Sequence, residues 1–179
     1  LGDEINVYVE HLETNPCDML GISSGFPNFD RAIGGGFRRK SVDLVAARPK
    51  VGKSMLADNI GVHIAGNLKI PVLMLDTEMS KEDHFNRLLA QHSKIDINDI
   101  STGKFVKIVN GKERVAQASN KIQEMPLDYI SIAGKPFEET LSIIRRWLIK
   151  KVGFDENGRI NDCMIIYDYL KLMASDEIN

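Results

Sequence analysis

Val42-Asp43-Leu44-Val45-Ala46-Ala47-Arg48-Pro49-Lys50-Val51-Gly52-Lys53-Ser54 decides the fold class of this chain. Val42–Ala46 is apolar at four of its five positions and reads as a buried strand. Ala47, Arg48, Pro49, Lys50, Val51, Gly52, Lys53 and Ser54 then match the phosphate-loop pattern, with Ala47 in place of its first glycine. In such a turn successive backbone N–H groups point inward and make a nest for phosphate oxygens. Gly52 lets the backbone approach a ligand closely. Lys53 supplies positive charge for β- and γ-phosphates, and Ser54 can take a place on magnesium. Ser54 also opens a predicted helix to about Ala65, whose unpaired N–H groups and dipole favour an anion. Ala47 is tolerated if its dihedrals suit alanine. The expected ligands are ATP, or another nucleoside triphosphate, and Mg2+.

Outward from this loop, strands and helices alternate. Pro71–Asp76 reads as a second strand, and Lys81 to about Ser93 as a helix with Phe85, Leu88 and Leu89 inward. Ser80 followed by Asp83 resembles a capping box at its start. A helix is expected within 112–125, a strand at Leu127–Ala133, a helix over 137–152 and a last strand at Cys163–Tyr167. Strands apolar on both faces and separated by helices imply a parallel sheet covered on both sides. Ligands bind such sheets at the carboxyl ends of the strands. Residues 3–13 form a short amphipathic pattern, while 14–41 are rich in breakers, with Asn15-Pro16, Phe26-Pro27 and Gly34-Gly35-Gly36.

The carboxyl-end rule picks out two acids. Asp168 follows four apolar strand residues, the Walker B arrangement that helps to hold magnesium. Its other reading is a cap on a following helix. Glu78 lies just past Asp76 and suits a general base for the water that attacks a γ-phosphate. Asp76, nearer its strand end, is a second candidate for that role.

Bulk properties limit the partners. The chain has 179 residues, 43% hydrophobic and 27% charged, with a net charge of −2 and an isoelectric point near 6.1. A surface that grips nucleic acid throughout is usually basic, so any such contact is local or made by residues outside this chain. Cys17 and Cys163 fit no ligand pattern and read as reduced thiols. No apolar run spans a membrane, so no membrane partner is expected and the cytoplasm is the expected compartment. A start at Leu1 and an end soon after a strong strand suggest a piece of a longer protein.

Four motifs in order carry a resemblance. They are Gly21–Asp30, then Ala46–Pro49 running into Gly52-Lys53-Ser54, then Glu78-Met79-Ser80 with Arg87-Leu88-Leu89, and Ile165–Met173. Together they resemble the motor domain of DnaB-type replicative helicases over roughly residues 20–175. Tyr167 and Lys171 depart from the usual pattern, as in a diverged, phage-type member. The resemblance implies a RecA-like P-loop NTPase core, an α/β fold with a mostly parallel sheet flanked by helices, C-terminally incomplete. It implies residues 1–20 as linker helix and connector and 21–179 as a partial ATPase core. It further implies a homohexamer with ATP between neighbours, single-stranded DNA through the centre, and a primase or helicase loader as partner. By position, Lys53 and Ser54 bind phosphate and magnesium, Glu78 is the base and Asp168 the Walker B acid. The family's arginine finger and DNA loops fall beyond Asn179, so the chain alone is expected to bind ATP and turn it over slowly. A recombinase- or clock-type ATPase, or a nucleotide-dependent interaction module, is the alternative reading.

Other features read blandly. Arg145, Arg146, Lys150 and Lys151, and more loosely Lys104, Lys107, Lys112 and Arg114, suit solvated faces because no aromatic residues are interleaved. His84 and His92 stand too far apart on one helix to share a metal, and His63 is expected at the surface. Trp147 is expected in the core. Arg87 has two readings, a reach to the nucleotide or a neighbour, or a helix pair with Asp83.

Overall fold

The computed structural model describes residues 2–16 and 19–169, and only the backbone of Asp3. Leu1, Cys17 and positions 170–173 of the Walker B likeness lie outside the described residues. The chain divides into two compact units, Leu1–Leu44 and Val45–Asn179.

The first unit contains helices α1 (Gly2–Thr14) and α2 (Pro27–Ala32). Helix α1 forms where the periodicity predicts it, with Ile5, Val9 and Leu12 exposed. Helix α2 arises inside the stretch read as loop. Phe26-Pro27 starts it rather than breaks it, because proline at the first helical position loses no intrahelical bond. The buried Asp30 carboxylate anchors the preceding turn, accepting from Ser23 Oγ at 2.7 Å and Ser24 N at 2.9 Å.

The second unit runs α3 (Lys53–Gly66), β1 (Val72–Asp76), α4 (Lys81–Ser93), α5 (Ile97–Ser101), α6 (Gly111–Gln123), β2 (Leu127–Ser131), α7 (Phe137–Trp147) and β3 (Met164–Asp168). A 3-10 turn, Lys104–Lys107, precedes α6, and a π-helical turn, Leu148–Val152, extends α7. The three strands are parallel in the order β2-β1-β3. Register pairs Met74 with both Tyr129 and Ile166, and Asp76 with both Ser131 and Asp168.

Period-two alternation sends these residues to two faces. Leu73 and Leu75 pack with Ile132, Trp147 and Val152 on the α7 face. Trp147 is core, as expected, and its Nε1 donates to Asp128 at 2.8 Å. On the other face lies α3, at such close range that a Cβ on Gly61 would come within 3.2 Å of Ile166 Cδ1 and 3.4 Å of Met74 Sδ. Strand β1 is therefore buried on both sides, which explains its unbroken apolar run.

One expected element is missing. Residues 42–46 form no strand, and Val42 and Leu44 are 97% and 77% exposed. Apolarity alone makes no strand: a ladder partner must take up the backbone N–H and C=O groups, and none of the described residues pairs with this run. Helix α4 also differs in the face that it buries. Leu88 is buried, but Phe85 is exposed beneath Lys81 Nζ, and His84 takes the inward place.

Leu73→Ala should cost about 2–5 kcal/mol, because it opens a cavity beside Trp147. Urea unfolding followed by the fluorescence of the sole tryptophan checks this, and a loss below about 1 kcal/mol would contradict the packing described.

Candidate functional site

The loop ahead of α3 turns sharply into the helix. Lys50 and Gly52 adopt positive φ, 65° and 107°, whereas Ala47 does not, so alanine is unstrained there. Gly52 is the N-cap, and the first helical bond runs from Leu56 N to Gly52 O at 2.9 Å. The amides of Lys53, Ser54 and Met55 precede it and have no carbonyl partner within the helix. Residues 47–52 are exposed.

The register then brings the acids to the loop. Asp76 and Asp168 end neighbouring strands on the face that α3 covers, and Lys53 opens α3. Lys53 Nζ forms an ion pair with Asp168 Oδ1. The same ammonium lies 5.1 Å from the ring centroid of Tyr169. The Tyr169 phenol is hydrogen-bonded to Glu78, which pushes its pKa up. Lys53, Asp168 and Glu78 are thus joined through Tyr169, a residue that the sequence motifs leave without a role. Its only signal there is adjacency to Asp168.

The turn after β1 separates the two candidate bases. Asp76 is buried, and its Oδ1 accepts from Glu78 N at 2.6 Å and Met79 N at 2.7 Å. Glu78 is exposed beside Tyr169. Asp76 acts as a bracket for the turn, leaving Glu78 as the acid open to solvent. Thr77 N donates to Asp168 O at 2.9 Å, tying this turn to β3. Thr77 Oγ1 is buried without a hydrogen-bond partner among the described residues.

Helix α4 follows with the expected cap: Ser80 Oγ accepts from Asp83 N at 3.1 Å and donates to Asp83 Oδ2 at 2.7 Å. That engagement bears on Arg87. With Asp83 held by Ser80, Arg87 pairs instead with Asp58 of α3, Nη1 to Oδ2 at 3.5 Å. His84 is fully buried, stacked on Tyr129 with centroids 4.1 Å apart and planes 13° apart. His63 is half-buried rather than at the surface. Arg145, Arg146, Lys150 and Lys151 are exposed, as expected. Arg114 is not a free cation, since it caps the end of α4 through Ser93 O at 2.9 Å and Lys94 O at 2.7 Å.

The donor set suits a magnesium–triphosphate pair. Open amides and Lys53 match phosphate oxygens, and a hydroxyl with one carboxylate leaves most of the cation's ligands to phosphate and water. Among the described residues no three His, Cys, Asp or Glu side chains form a cage for a metal by themselves. No described helix is long and apolar enough to cross a membrane.

The family model for the DnaB-like helicase C terminal domain matches residues 21–179. The chain belongs to this family. It is 32% identical over 170 residues to the replicative DNA helicase DnaB of Nostoc sp., covering 94% of the chain and 18% of that protein. It is 31% identical over 172 residues to the replicative DNA helicase DnaB of Geobacillus stearothermophilus, covering 92% and 34%. The chain therefore spans about a third or less of these two relatives. Among solved structures, an ATPase domain matches with a TM-score of 0.78 at 24% identity, covering 94% of the chain and 56% of that one. A DnaB-like replicative helicase described with its interactions with primase matches at 0.76 and 21%, covering 94% and 38%. The RecA-like α/β fold class follows, and the recombinase- and clock-type alternatives are not favoured.

Burial raises Asp58 from 3.8 to about 6, with Arg87 opposing. Burial lowers His84 from 6.5 to about 4, with Asp76 opposing and Arg87 assisting. The signs differ. His84 contributes fully above its unfolded value and loses that contribution as pH falls toward 4. Asp58 contributes fully below 3.8 and loses its contribution as pH rises through 6. Asp58→Asn should therefore gain on the parent by on the order of 2–3 kcal/mol between pH 4 and 6.5. Paired urea melts at those two pH values test this, and a pH-independent difference would refute it.

Proposed function

We propose that this chain is the ATP-binding motor domain of a hexameric replicative DNA helicase. In this reading ATP hydrolysis drives translocation on single-stranded DNA and unwinding of duplex. The observation that carries it is the joining of Lys53, Asp168 and Glu78, through Tyr169, at the carboxyl ends of β1 and β3.

Each residue has a role in that reading. Ala47–Ser54 cradles the phosphates through backbone amides, and Lys53 pairs with the β- and γ-phosphates. Ser54 and Asp168 hold the magnesium side. Magnesium held there would offset the charge that develops on the phosphates. Glu78, as general base, orients the attacking water and takes its proton. Residues 1–20 serve as linker helix and connector, and residues 21–179 as the ATPase core. The partners are other copies of the subunit, single-stranded DNA, and a primase or helicase loader, and the compartment is the cytoplasm. Similarity to a helicase described with primase supports the primase partner. With a net charge of −2, this chain offers DNA at most a local contact, and single-stranded DNA is held mostly by elements outside it.

Three substitutions test the site. Lys53→Ala should abolish binding of a fluorescent ATP analogue. Glu78→Gln should bind it as the parent does and lose about 10²–10⁴ in hydrolysis rate. Asp168→Asn should weaken magnesium-dependent binding more than magnesium-free binding. Normal hydrolysis by Glu78→Gln would remove Glu78 as the base.

The isolated chain should bind ATP but hydrolyse it slowly. Glu78 is exposed, so the described residues leave the reacting centre open to bulk water. Phosphate release with and without single-stranded DNA measures this, and fast DNA-stimulated turnover would refute it.

A further inference from the structure

The turn that carries Glu78 is held from two sides. Below it, Asp76 Oδ1 accepts from the amides of Glu78 and Met79. From β2, the Tyr129 hydroxyl donates to Met79 O at 2.9 Å. Register places Tyr129 beside Met74, on the face that carries Asp76. The hydroxyl therefore crosses the sheet face to reach the residue after Glu78.

We propose that Tyr129 is a positioning residue for Glu78: its hydroxyl latches the turn at Met79, and the stacked His84 ring fixes the direction of the phenol. The proposal rests on the reading of Glu78 as the base and adds what aims it.

His84 supports this by what it does not do. It is fully buried, and neither ring nitrogen has a hydrogen-bond partner among the described residues. An imidazole sequestered this way gives up hydration with no hydrogen bond in return. Its near-parallel face against Tyr129 is the contact it makes instead. Burial, and then Asp76 and Asp58, push the Tyr129 phenol up, so it keeps its proton and remains a donor. Asp58 also ties this group to α3, with Oδ1 3.6 Å from His84 Nδ1. The helix that starts with Lys53 and the turn that carries Glu78 thus share one buried polar group.

Misaiming a catalytic group by an ångström costs up to about a hundredfold in rate. Tyr129→Phe keeps the ring and its stack and removes only the latch. In this chain, with protein in excess over ATP, it should bind nucleotide within about twofold of the parent and lower the single-turnover hydrolysis rate about tenfold or more. The Glu78 and Met79 amides should exchange with solvent at least about tenfold faster by NMR, while those of β1 stay protected. His84→Phe, which still offers a flat ring, should retain the parent rate within about twofold. A parent-like rate for Tyr129→Phe beside an inactive Glu78→Gln would overturn the latch and leave the base in place. An active Glu78→Gln would overturn the base and the latch with it. Unchanged amide exchange in Tyr129→Phe would also overturn the latch, since a turn held elsewhere does not need it.

Discussion

Burial of β1 on both faces is the constraint on which the second unit depends. Val72, Leu73, Met74 and Leu75 are all 5% exposed or less. Each such side chain taken from water is worth roughly 1.5–3 kcal/mol, so no other arrangement of this strand competes. Once β1 is central, alternation decides the rest. Leu73 and Leu75 demand α7 and Trp147, while Met74 demands α3. Asp76 and its neighbour Asp168 then emerge on the α3 side, where Lys53 stands. The charged site follows from an apolar packing decision.

Electrostatics then divides labour among acids that share one sheet edge. Asp76 accepts two backbone amides, Asp168 pairs with an ammonium, and Glu78 meets a phenol. These partners differ in strength and permanence. The amides are part of the fold, and charge-assisted bonds of that kind hold a carboxylate in place. A lysine on a flexible stem can exchange one oxygen partner for another. The rigid acid therefore supports structure, and the acids with mobile partners remain free for chemistry.

Much of this is legible in the sequence because the signals are local. The loop from Ala47 to Ser54, the strand at 72–76, the Ser80 cap and the limits of α4 all follow from residue types at short spacing. What escapes depends on partners distant in the chain. Val42–Ala46 has strand composition but no ladder. The helical pattern favours Phe85, yet His84 turns inward because Tyr129 offers it a ring. Arg87 meets Asp58 across two helices because Ser80 already engages Asp83. Pro27 reads as a break although it opens α2, since the same locked φ serves both uses. Tyr129 itself gives no signal, because only strand register places it beside the turn at Met79.

Gly61 carries a consequence of another kind. The bare backbone there sets how deeply α3 sinks toward Met74 and Ile166. Lys53 lies about 12 Å further along the same rod, at 1.5 Å per residue. A side chain grown at that fulcrum, larger than the ends of Ile166 and Met74 can make room for, would tilt the rod and swing its charged tip. The depth of a single missing methyl thus calibrates where the ammonium stands, and drift at this remote point could detune the ensemble while every residue of the site stayed the same.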